Sequence, residues 1–192
     1  ELYSEHPLRQ AILMLGLHGL RSKEIMGVAM RHFRELEDVD DIYMLHIPEE
    51  SAKATQAMSS DTREVPISRS LYHQASIYAN ATGLNKDDEL VEVKKRQLRR
   101  YIENAREEID DESDKRGWQY LSMHDLRRTW ATEAFWSLAV AGNPAAEELV
   151  MSYGGWAKTE TGRATFRQNY LGPVPDVITH QATEQLDYYD TF

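Results

Sequence analysis

The sequence predicts a mainly α-helical domain with a small antiparallel β-sheet, and three observations support this class. Apolar residues recur at helical spacing along most of the 192 residues. Two short apolar runs, separated by a long polar connection, have the composition of strands. The chain has 41% hydrophobic and 28% charged residues, with only 10 glycines and 6 prolines, which is typical of a globular protein. One hydrophobic core suffices at this length, so we predict a single domain over residues 1–192.

The N-terminal part is predicted to contain two helices followed by two strands. The first helix is indicated by apolar residues three and four positions apart: Leu8, Ala11, Ile12 and Leu15. Ser22 is a candidate cap for a short second helix. The predicted strands are Ile42–Ile47 and Arg63–Ile67, and Pro66 places the second strand near a sheet edge. The 15 residues between them, 48–62, are long for a hairpin connection, and connections of this length are often functional.

Four further helices and a helical tail are predicted in the rest of the chain. Their expected bounds are Arg69–Ala81, Lys94–Ile109, His124–Val140, Pro144–Tyr153 and, for the tail, Pro175–Tyr188. Pro144 suits the first position of its helix because its backbone lacks the N–H that a helix start leaves unpaired. Leu126, Trp130, Ala134 and Leu138 form the predicted buried side of the third of these helices. Residues Lys158–Gly162 are predicted to form a loop.

Composition excludes several classes of function. The absence of cysteine excludes disulfides, thiolate metal sites and a cysteine nucleophile. The longest apolar run, Ala11–Leu17, is too short to span a bilayer, and we expect no membrane association. Neither a phosphate-cradling glycine loop nor a zinc-type histidine cluster is present, so no metal or other cofactor is expected. Because the first residue is Glu1 rather than methionine, we expect this chain to be a piece of a longer protein.

The charge balance argues against passive binding to nucleic acid, because 22 basic residues face 32 acidic ones and the formal net charge is −10. Arginine nonetheless outnumbers lysine 15 to 7, and arginine suits two-pronged phosphate recognition. The acidic excess is concentrated in Glu35–Asp41, Asp87–Glu89 and Glu107–Asp114. High acidity with little lysine also suggests a salt-loving host, and an activity optimum in dilute buffer would contradict that hypothesis.

Candidate phosphate ligands lie in two places. His124 and Arg127 are three residues apart on a predicted helix, so both side chains face the same target. The same spacing occurs at His6/Arg9 and His18/Arg21, and for His6 we interpret it as a solvated helix face. In the segment Gly19–Glu24, a glycine turn places Arg21 at a helix entrance, where Glu24 can hold its guanidinium. An ordinary helix-initiating turn is the alternative interpretation.

Two further residues are candidates for proton transfer and nucleophilic attack. Lys53 lies in the long connection between the strands, from which it could donate a proton to a leaving alkoxide, or simply be a solvated loop lysine. Tyr170 precedes Gly172 and Pro173, which end any helix there, and it is either a candidate nucleophile or a partly buried aromatic residue. Its competitors as nucleophile are Tyr153, Tyr188 and Tyr189.

Taken in order, these segments resemble the catalytic domain of the tyrosine recombinases, the phage-integrase family. Gly19–Glu24 resembles the first box of that family, GLRxxE, and Arg63–Ile67 resembles the RxVP pattern that ends its hairpin. His124–Thr132 resembles the second box, HxLRxTxAT, which is the most specific of the three. The resemblance extends from Leu8 through the tail. It implies an N-terminal core-binding domain that this chain lacks.

The resemblance implies a role for each matching residue. Arg21 and Arg127 match the two phosphate-clamping arginines, and His124 matches the histidine of the second box. Trp156, after Gly154 and Gly155, matches the position that holds His or Trp in the family. The remaining matches are Lys53 with the hairpin lysine that acts as the acid, Tyr170 with the nucleophile, and Glu24 with a supporting role.

The implied activity is site-specific cutting and rejoining of DNA strands through a 3′-phosphotyrosyl link, without metal or ATP. The implied partner is double-stranded DNA, with homotetramers on DNA and a monomer in isolation. The implied setting is the cytoplasm of a prokaryotic or archaeal host, or a virus or plasmid of that host. Candidate DNA-contacting residues are Lys94, Lys95, Arg96, Arg99 and Arg128.

Three alternatives to a recombinase remain open at this point. A topoisomerase of type IB shares the chemistry but relaxes DNA rather than exchanging strands. A recombinase-like module without catalysis would bind DNA and form no covalent adduct. A metal-dependent nuclease would use Asp38, Asp40 and Asp41, which we interpret instead as a solvated turn.

Overall fold

The computed structural model describes residues 7–37, 39, 41–51, 62–112 and 118–186. Within these ranges the structure has eight α-helices and a three-stranded sheet, so the predicted mainly helical class with a small antiparallel sheet is confirmed. The helices are α1 (Pro7–Leu17), α2 (Ser22–Met26), α3 (Arg69–Thr82), α4 (Lys95–Glu112), α5 (Met123–Val140), α6 (Ala146–Gly154), α7 (Glu160–Asn169) and α8 (Asp176–Leu186). The strands are β1 (Phe33–Glu35), β2 (Tyr43–Ile47) and β3 (Arg63–Ile67).

The sheet is antiparallel in the order β1-β2-β3. Tyr43 of β2 lies opposite Ile67 of β3, and Leu45 lies opposite Val65. These four side chains are all buried, because alternate residues of a strand face the same side of the sheet. The sheet therefore contributes one apolar face to the main core, which also receives Ile12 and other residues of α1, α2, α3 and α4.

Strand β1 was not predicted. It is only three residues long, and Arg34 and Glu35 are exposed, so it carries no apolar alternation that would mark it in the sequence. Its pairing is nevertheless regular, with Phe33 opposite Leu45 and Glu35 opposite Tyr43. Strand β1 therefore depends on its pairing with β2, because its own composition does not mark it as a strand.

Several predicted bounds in the C-terminal half were wrong. The segment Lys158–Gly162 is not a loop, because α7 begins at Glu160 and the hydroxyl of Thr159 accepts a hydrogen bond from the Gly162 N–H at 3.2 Å. Pro144 lies in a turn two residues before α6 rather than at its first position. In α5, Leu126 is buried as predicted, but Trp130, Ala134 and Leu138 are only half-buried, since they line a second, smaller core.

The start of α2 also differs from the prediction. Arg21, not Ser22, is the residue that precedes the helix. The Glu24 carboxylate accepts a hydrogen bond from the backbone N–H of Arg21 at 2.7 Å, which pairs one of the amides that a helix start leaves unpaired. Glu24 is therefore needed for the local backbone as well as for the Arg21 side chain.

The turn between α1 and α2 packs directly against α5. Gly19 has a φ of +82°, a conformation that glycine adopts without steric cost. A Cβ atom at this position would lie 2.4 Å from the Trp130 ring, so only glycine allows the close approach. The contact places Arg21 near the buried side of α5.

No helix within the described parts of the chain has both the length and the apolar character required to cross a membrane.

Candidate functional site

Three arginines meet at the C-terminal end of α6. The last carbonyl groups of a helix have no intrahelical partner and carry partial negative charge, so they attract cations. Here the carbonyl of Tyr153 accepts from Arg63 Nε at 2.6 Å, and the carbonyl of Gly155 accepts from Arg21 Nη2 at 3.1 Å. Helix α6 ends with Gly155 in the left-handed conformation, at a φ of 70°, which turns the chain and leaves these carbonyls accessible.

The two arginines predicted to meet, Arg21 and Arg127, share one acceptor. The Gly154 carbonyl accepts from Arg127 Nη2 at 2.5 Å and from Arg21 Nη2 at 3.1 Å. A second amino group of Arg127 donates to the carbonyl of Gly19. The turn before α2, the start of α5 and the end of α6 therefore bring together guanidinium groups that are more than one hundred residues apart in the sequence.

A third arginine, Arg63 of β3, belongs to the same cluster and was not among the predicted site residues. Its two amino groups donate to the two oxygens of the Glu24 carboxylate at 2.8 and 2.9 Å. The same carboxylate accepts from Arg21 Nη1 at 2.5 Å. The RxVP pattern around Arg63 was noticed in the sequence, but the spacing gave no sign that this arginine would pair with Glu24.

The electrostatics of the cluster favour an additional anion. Burial on its own raises the pKa of Glu24, but the hydrogen bonds and charge of Arg63, together with the charge of Arg21, bring that pKa below its usual value. Burial lowers the pKa of Arg21, although Glu24 acts in the opposite direction. Burial, reinforced by the charge of Arg21, lowers the pKa of Arg127 to about 9 despite the nearby Glu24. One carboxylate thus faces three buried or half-buried guanidinium groups, and a phosphate would offset the excess positive charge.

Two buried N–H groups in this region lack an acceptor among the described residues: Arg127 Nε and Trp156 Nε1. Leaving a buried donor unpaired costs about 1–3 kcal/mol. The two side chains are adjacent, because the Arg127 guanidinium carbon lies 4.2 Å from the centre of a Trp156 ring. Both donors are the type that binds phosphate oxygens, which agrees with the anion preference of the arginine cluster.

Tyr170 lies against the same guanidinium. Its ring centre is 5.6 Å from the Arg127 guanidinium carbon, 4.6 Å from the Trp156 ring and 4.8 Å from the His124 ring. Tyr170 is the first residue after α7 and is only 7% exposed. The structure therefore brings Arg21, His124, Arg127, Trp156 and Tyr170 into one cluster, and the 14-residue separation between Trp156 and Tyr170 does not prevent this.

Helix α7 is attached to α6 by ion pairs that the sequence did not suggest. Arg163 donates to Glu147 at 2.9 Å and to Glu148 at 2.7 Å, and Arg167 also pairs with Glu147. Arg163 and Arg167 are four residues apart, so they lie on the same face of α7. Because α6 also carries the carbonyl groups that bind the arginines, these pairs connect Tyr170 to the arginine cluster.

A groove that includes His124 runs along α4. It has a volume of about 620 Å³, and its lining includes Ser22, Lys95, Arg96, Arg99, Arg106 and His124. Four of the twelve lining residues are cations from α4, four are apolar, and the acidic Glu103 pairs with Arg99 at 2.9 Å; His124 belongs to the site itself. Lys94 and Arg96 line a second groove of about 530 Å³ on the α1 side of α4. Arg128 is exposed on α5, outside both grooves.

The charge distribution of α4 opposes its helix dipole. Its first turns carry Lys95, Arg96, Arg99 and Arg100, its C-terminal turns are acidic, and neither end holds the compensating charge. An anion near a helix N-terminus stabilises the helix by about 0.3–1 kcal/mol, and a cation there destabilises it by a similar amount. This pattern does not serve the stability of the helix, and an external anion bound there would offset its cost.

Some predicted residues lie outside the described residues, namely Lys53, Asp38, Asp40, Tyr188 and Tyr189. Among the described residues, no group of three or more His, Asp or Glu side chains is arranged to hold a metal ion.

The arrangement places three guanidinium groups, an imidazole and a phenol ring in one cluster. A scan against models of known protein families and a search of the curated proteins each gave no match to this chain.

Proposed function

We propose that this chain is the catalytic domain of a site-specific DNA recombinase that cuts and rejoins strands through a tyrosine. The observation that carries the proposal is the convergence of Arg21 and Arg127 on the Gly154 carbonyl, directly beside Tyr170. These residues come from three separate segments and also match, in order, the boxes that resemble the tyrosine recombinases. If the arginines served only to pair the last carbonyl groups of α6, Tyr170 would not be needed beside the Arg127 guanidinium.

In the proposed reaction, the Tyr170 oxygen attacks a phosphodiester phosphorus and the bond to the 5′ oxygen breaks. Negative charge develops on the non-bridging oxygens, where Arg21 and Arg127 stabilise it without a metal ion. Trp156 Nε1 adds a hydrogen bond. The products are a 3′-phosphotyrosyl link and a free 5′ hydroxyl. The link retains the energy of the broken bond, so a second 5′ hydroxyl can reverse the step without ATP.

Two protons must move in this reaction. The phenol proton passes to His124, and Lys53 supplies a proton to the departing 5′ oxygen. Burial, the largest influence, lowers the pKa of His124, and the charges of Arg127 and Arg128 lower it further against the opposing effect of Asp125. This shift favours the neutral imidazole, the form that can accept a proton.

We expect the rate of strand cleavage to fall in acid, with a midpoint below the ordinary imidazole pKa, because the pKa of His124 is lowered. The neutral imidazole accepts the phenol proton, whereas the imidazolium that forms in acid does not. A single-turnover pH–rate profile between about pH 5 and 8 measures this. A His124→Gln variant, which has no imidazole to titrate, should be slower and should lose the acid limb. The same acid limb in wild type and variant would assign the titration to another group.

We propose double-stranded DNA as the partner, bound with its backbone along the α4 groove. The groove begins at His124 and continues over Lys95 and Arg96, so one strand can reach the cluster while adjacent phosphates contact α4. The chain has a net charge of −10, and this local concentration of cations is therefore what permits binding to a polyanion.

Replacing Lys95 and Arg96 together by glutamine should reduce the salt dependence of duplex binding. Each phosphate contact that is lost lowers the slope of log K against log salt concentration by about 0.9. Fluorescence anisotropy at several salt concentrations measures the slope. The control is Arg69→Gln, an exposed arginine of α3 that pairs with Asp41 at 2.9 Å. An unchanged slope in the double variant would exclude the α4 groove as the DNA path.

Covalent trapping tests the proposed function directly. The substrates are nicked duplexes with randomised sequence around the nick. Cleavage beside the nick releases a short strand that carries the 5′ hydroxyl, so rejoining cannot occur and the protein remains attached to DNA. An adduct that forms in the presence of EDTA supports the proposal and excludes the metal-dependent nuclease. Absence of an adduct with duplexes that the protein binds would favour a binding module. Strand exchange between two sites separates a recombinase from a topoisomerase.

A further inference from the structure

We propose that Thr132 is a positioning residue that holds Tyr170 in place beside the arginine cluster. The inference rests on the proposed function to the extent that Tyr170 is the nucleophile. It concerns a buried hydroxyl that neither binds phosphate nor exchanges a proton in the mechanism above.

The Thr132 hydroxyl bonds to the backbone on both sides of Leu171. It donates to the carbonyl of Tyr170 at 3.0 Å and accepts from the N–H of Gly172 at 2.9 Å. Thr132 is 9% exposed, so water competes little for either bond. A Cβ atom on Gly172 would lie 3.1 Å from this hydroxyl oxygen, and glycine therefore allows the backbone to approach.

These two hydrogen bonds form immediately after the end of α7. The N–H groups of Tyr170 and Leu171 still donate to the carbonyl of Phe166, at 2.9 and 3.0 Å. The Tyr170 carbonyl lies beyond the last helical turn, and the Thr132 hydroxyl donates to it in place of a helical N–H. Pro173 prevents continuation of the helix. Without Thr132, the segment that follows Tyr170 loses two of the bonds that fix its path.

Helix α5 makes this support effective. His124, Arg127 and Thr132 all belong to α5, and Thr132 lies eight residues, or about 12 Å, after His124 along the helix axis. A helix of this length is rigid on the scale of a reacting bond. The phosphate ligands and the support of Tyr170 are thus parts of one rigid element, which sets the 4.8 Å separation between the His124 and Tyr170 rings.

The test compares Thr132→Val, which keeps the shape but removes both hydrogen bonds, with Thr132→Ser, which keeps the hydroxyl. The control is Thr82→Val, because Thr82 also bonds through its hydroxyl to backbone carbonyls, at the end of α3 and outside the site. We expect Thr132→Val to slow single-turnover adduct formation by about 10- to 100-fold, since small misplacement of a reacting group has effects of this size. The Kd for nicked duplex should stay unchanged, and the melting temperature should fall only by the few degrees that two lost hydrogen bonds account for. Thr132→Ser should react like wild type.

A second readout is independent of DNA. Nitration by tetranitromethane, followed by mass spectrometry, compares Tyr170 with Tyr120, which is 75% exposed and provides an internal reference. Nitration of Tyr170 relative to Tyr120 should increase several-fold in Thr132→Val and not in Thr132→Ser.

Three results would overturn the inference: wild-type rate and nitration in Thr132→Val, equal loss of rate in Thr132→Ser, or loss of duplex binding and melting temperature together with the rate. The last of these would assign Thr132 to the core. If wild-type protein forms no adduct, the proposed function fails, while the nitration comparison still decides whether Thr132 holds Tyr170.

Discussion

Replacing Tyr170 by phenylalanine should abolish the covalent adduct with nicked duplex while leaving duplex binding intact. The substitution removes only the hydroxyl oxygen, so the ring can keep its contacts with Trp156, His124 and Arg127. An SDS-resistant protein–DNA band measures the adduct, and fluorescence anisotropy measures binding.

The matched control is Tyr120→Phe, which removes the same atom from an exposed tyrosine. This variant should form the adduct at the wild-type rate. An adduct that persists in Tyr170→Phe would move the nucleophile elsewhere, with Tyr188 and Tyr189 as the first alternatives.

Replacing Arg127 by alanine should lower the rate of adduct formation by about 10²–10³-fold, the effect of losing one preorganised contact to a developing charge. Arg127 is the most buried of the three clustered arginines, and its side chain lies between Tyr170, Trp156 and the Gly154 carbonyl. Duplex binding should change much less, because most phosphate contacts are expected along α4. Single-turnover kinetics at saturating protein separate the two effects.

The alanine variant also leaves the Gly19 and Gly154 carbonyls without the arginine donor, so its melting temperature must be compared with that of wild type. Arg127→Lys provides the sharper comparison. It retains a cation in the same place but loses the fork that reaches two acceptors and a phosphate together. A lysine variant that is folded and slow supports a role in the transition state. A lysine variant with the wild-type rate would contradict that role.

The sequence predicted much of the site because its strongest motif lies on one helix. The three-residue spacing places His124 and Arg127 on one face of α5, and the glycine turn before Arg21 indicated a second cation at a helix start; the resemblance to the recombinase boxes singled these residues out among similar spacings. The short apolar runs predicted strands at Ile42–Ile47 and Arg63–Ile67, and the structure has them at Tyr43–Ile47 and Arg63–Ile67. Each of these features depends on residues close together in the chain.

Features that depend on distant contacts could not be predicted in this way. Arg63 joins the cluster only because β3 passes beside Glu24 and the end of α6, which no local spacing encodes. The common acceptor, the Gly154 carbonyl, is a backbone atom and has no sequence signal apart from the following left-handed glycine. Helix α7 was predicted in part to be a loop, since the cap at Thr159 and the ion pairs to Glu147 are recognisable only once α6 lies beside it.

The proposal that Arg21 and Arg127 present a phosphate to Tyr170 is tested most directly by identifying the amino acid that becomes attached to DNA. Trapped adducts are digested with nuclease and protease, and the remaining nucleotide-bearing peptide is sequenced by tandem mass spectrometry. The account predicts a 3′-nucleotide phosphate on the Tyr170 oxygen. A nucleotide on any other residue, or duplex that is cut without leaving a modified peptide, would contradict it.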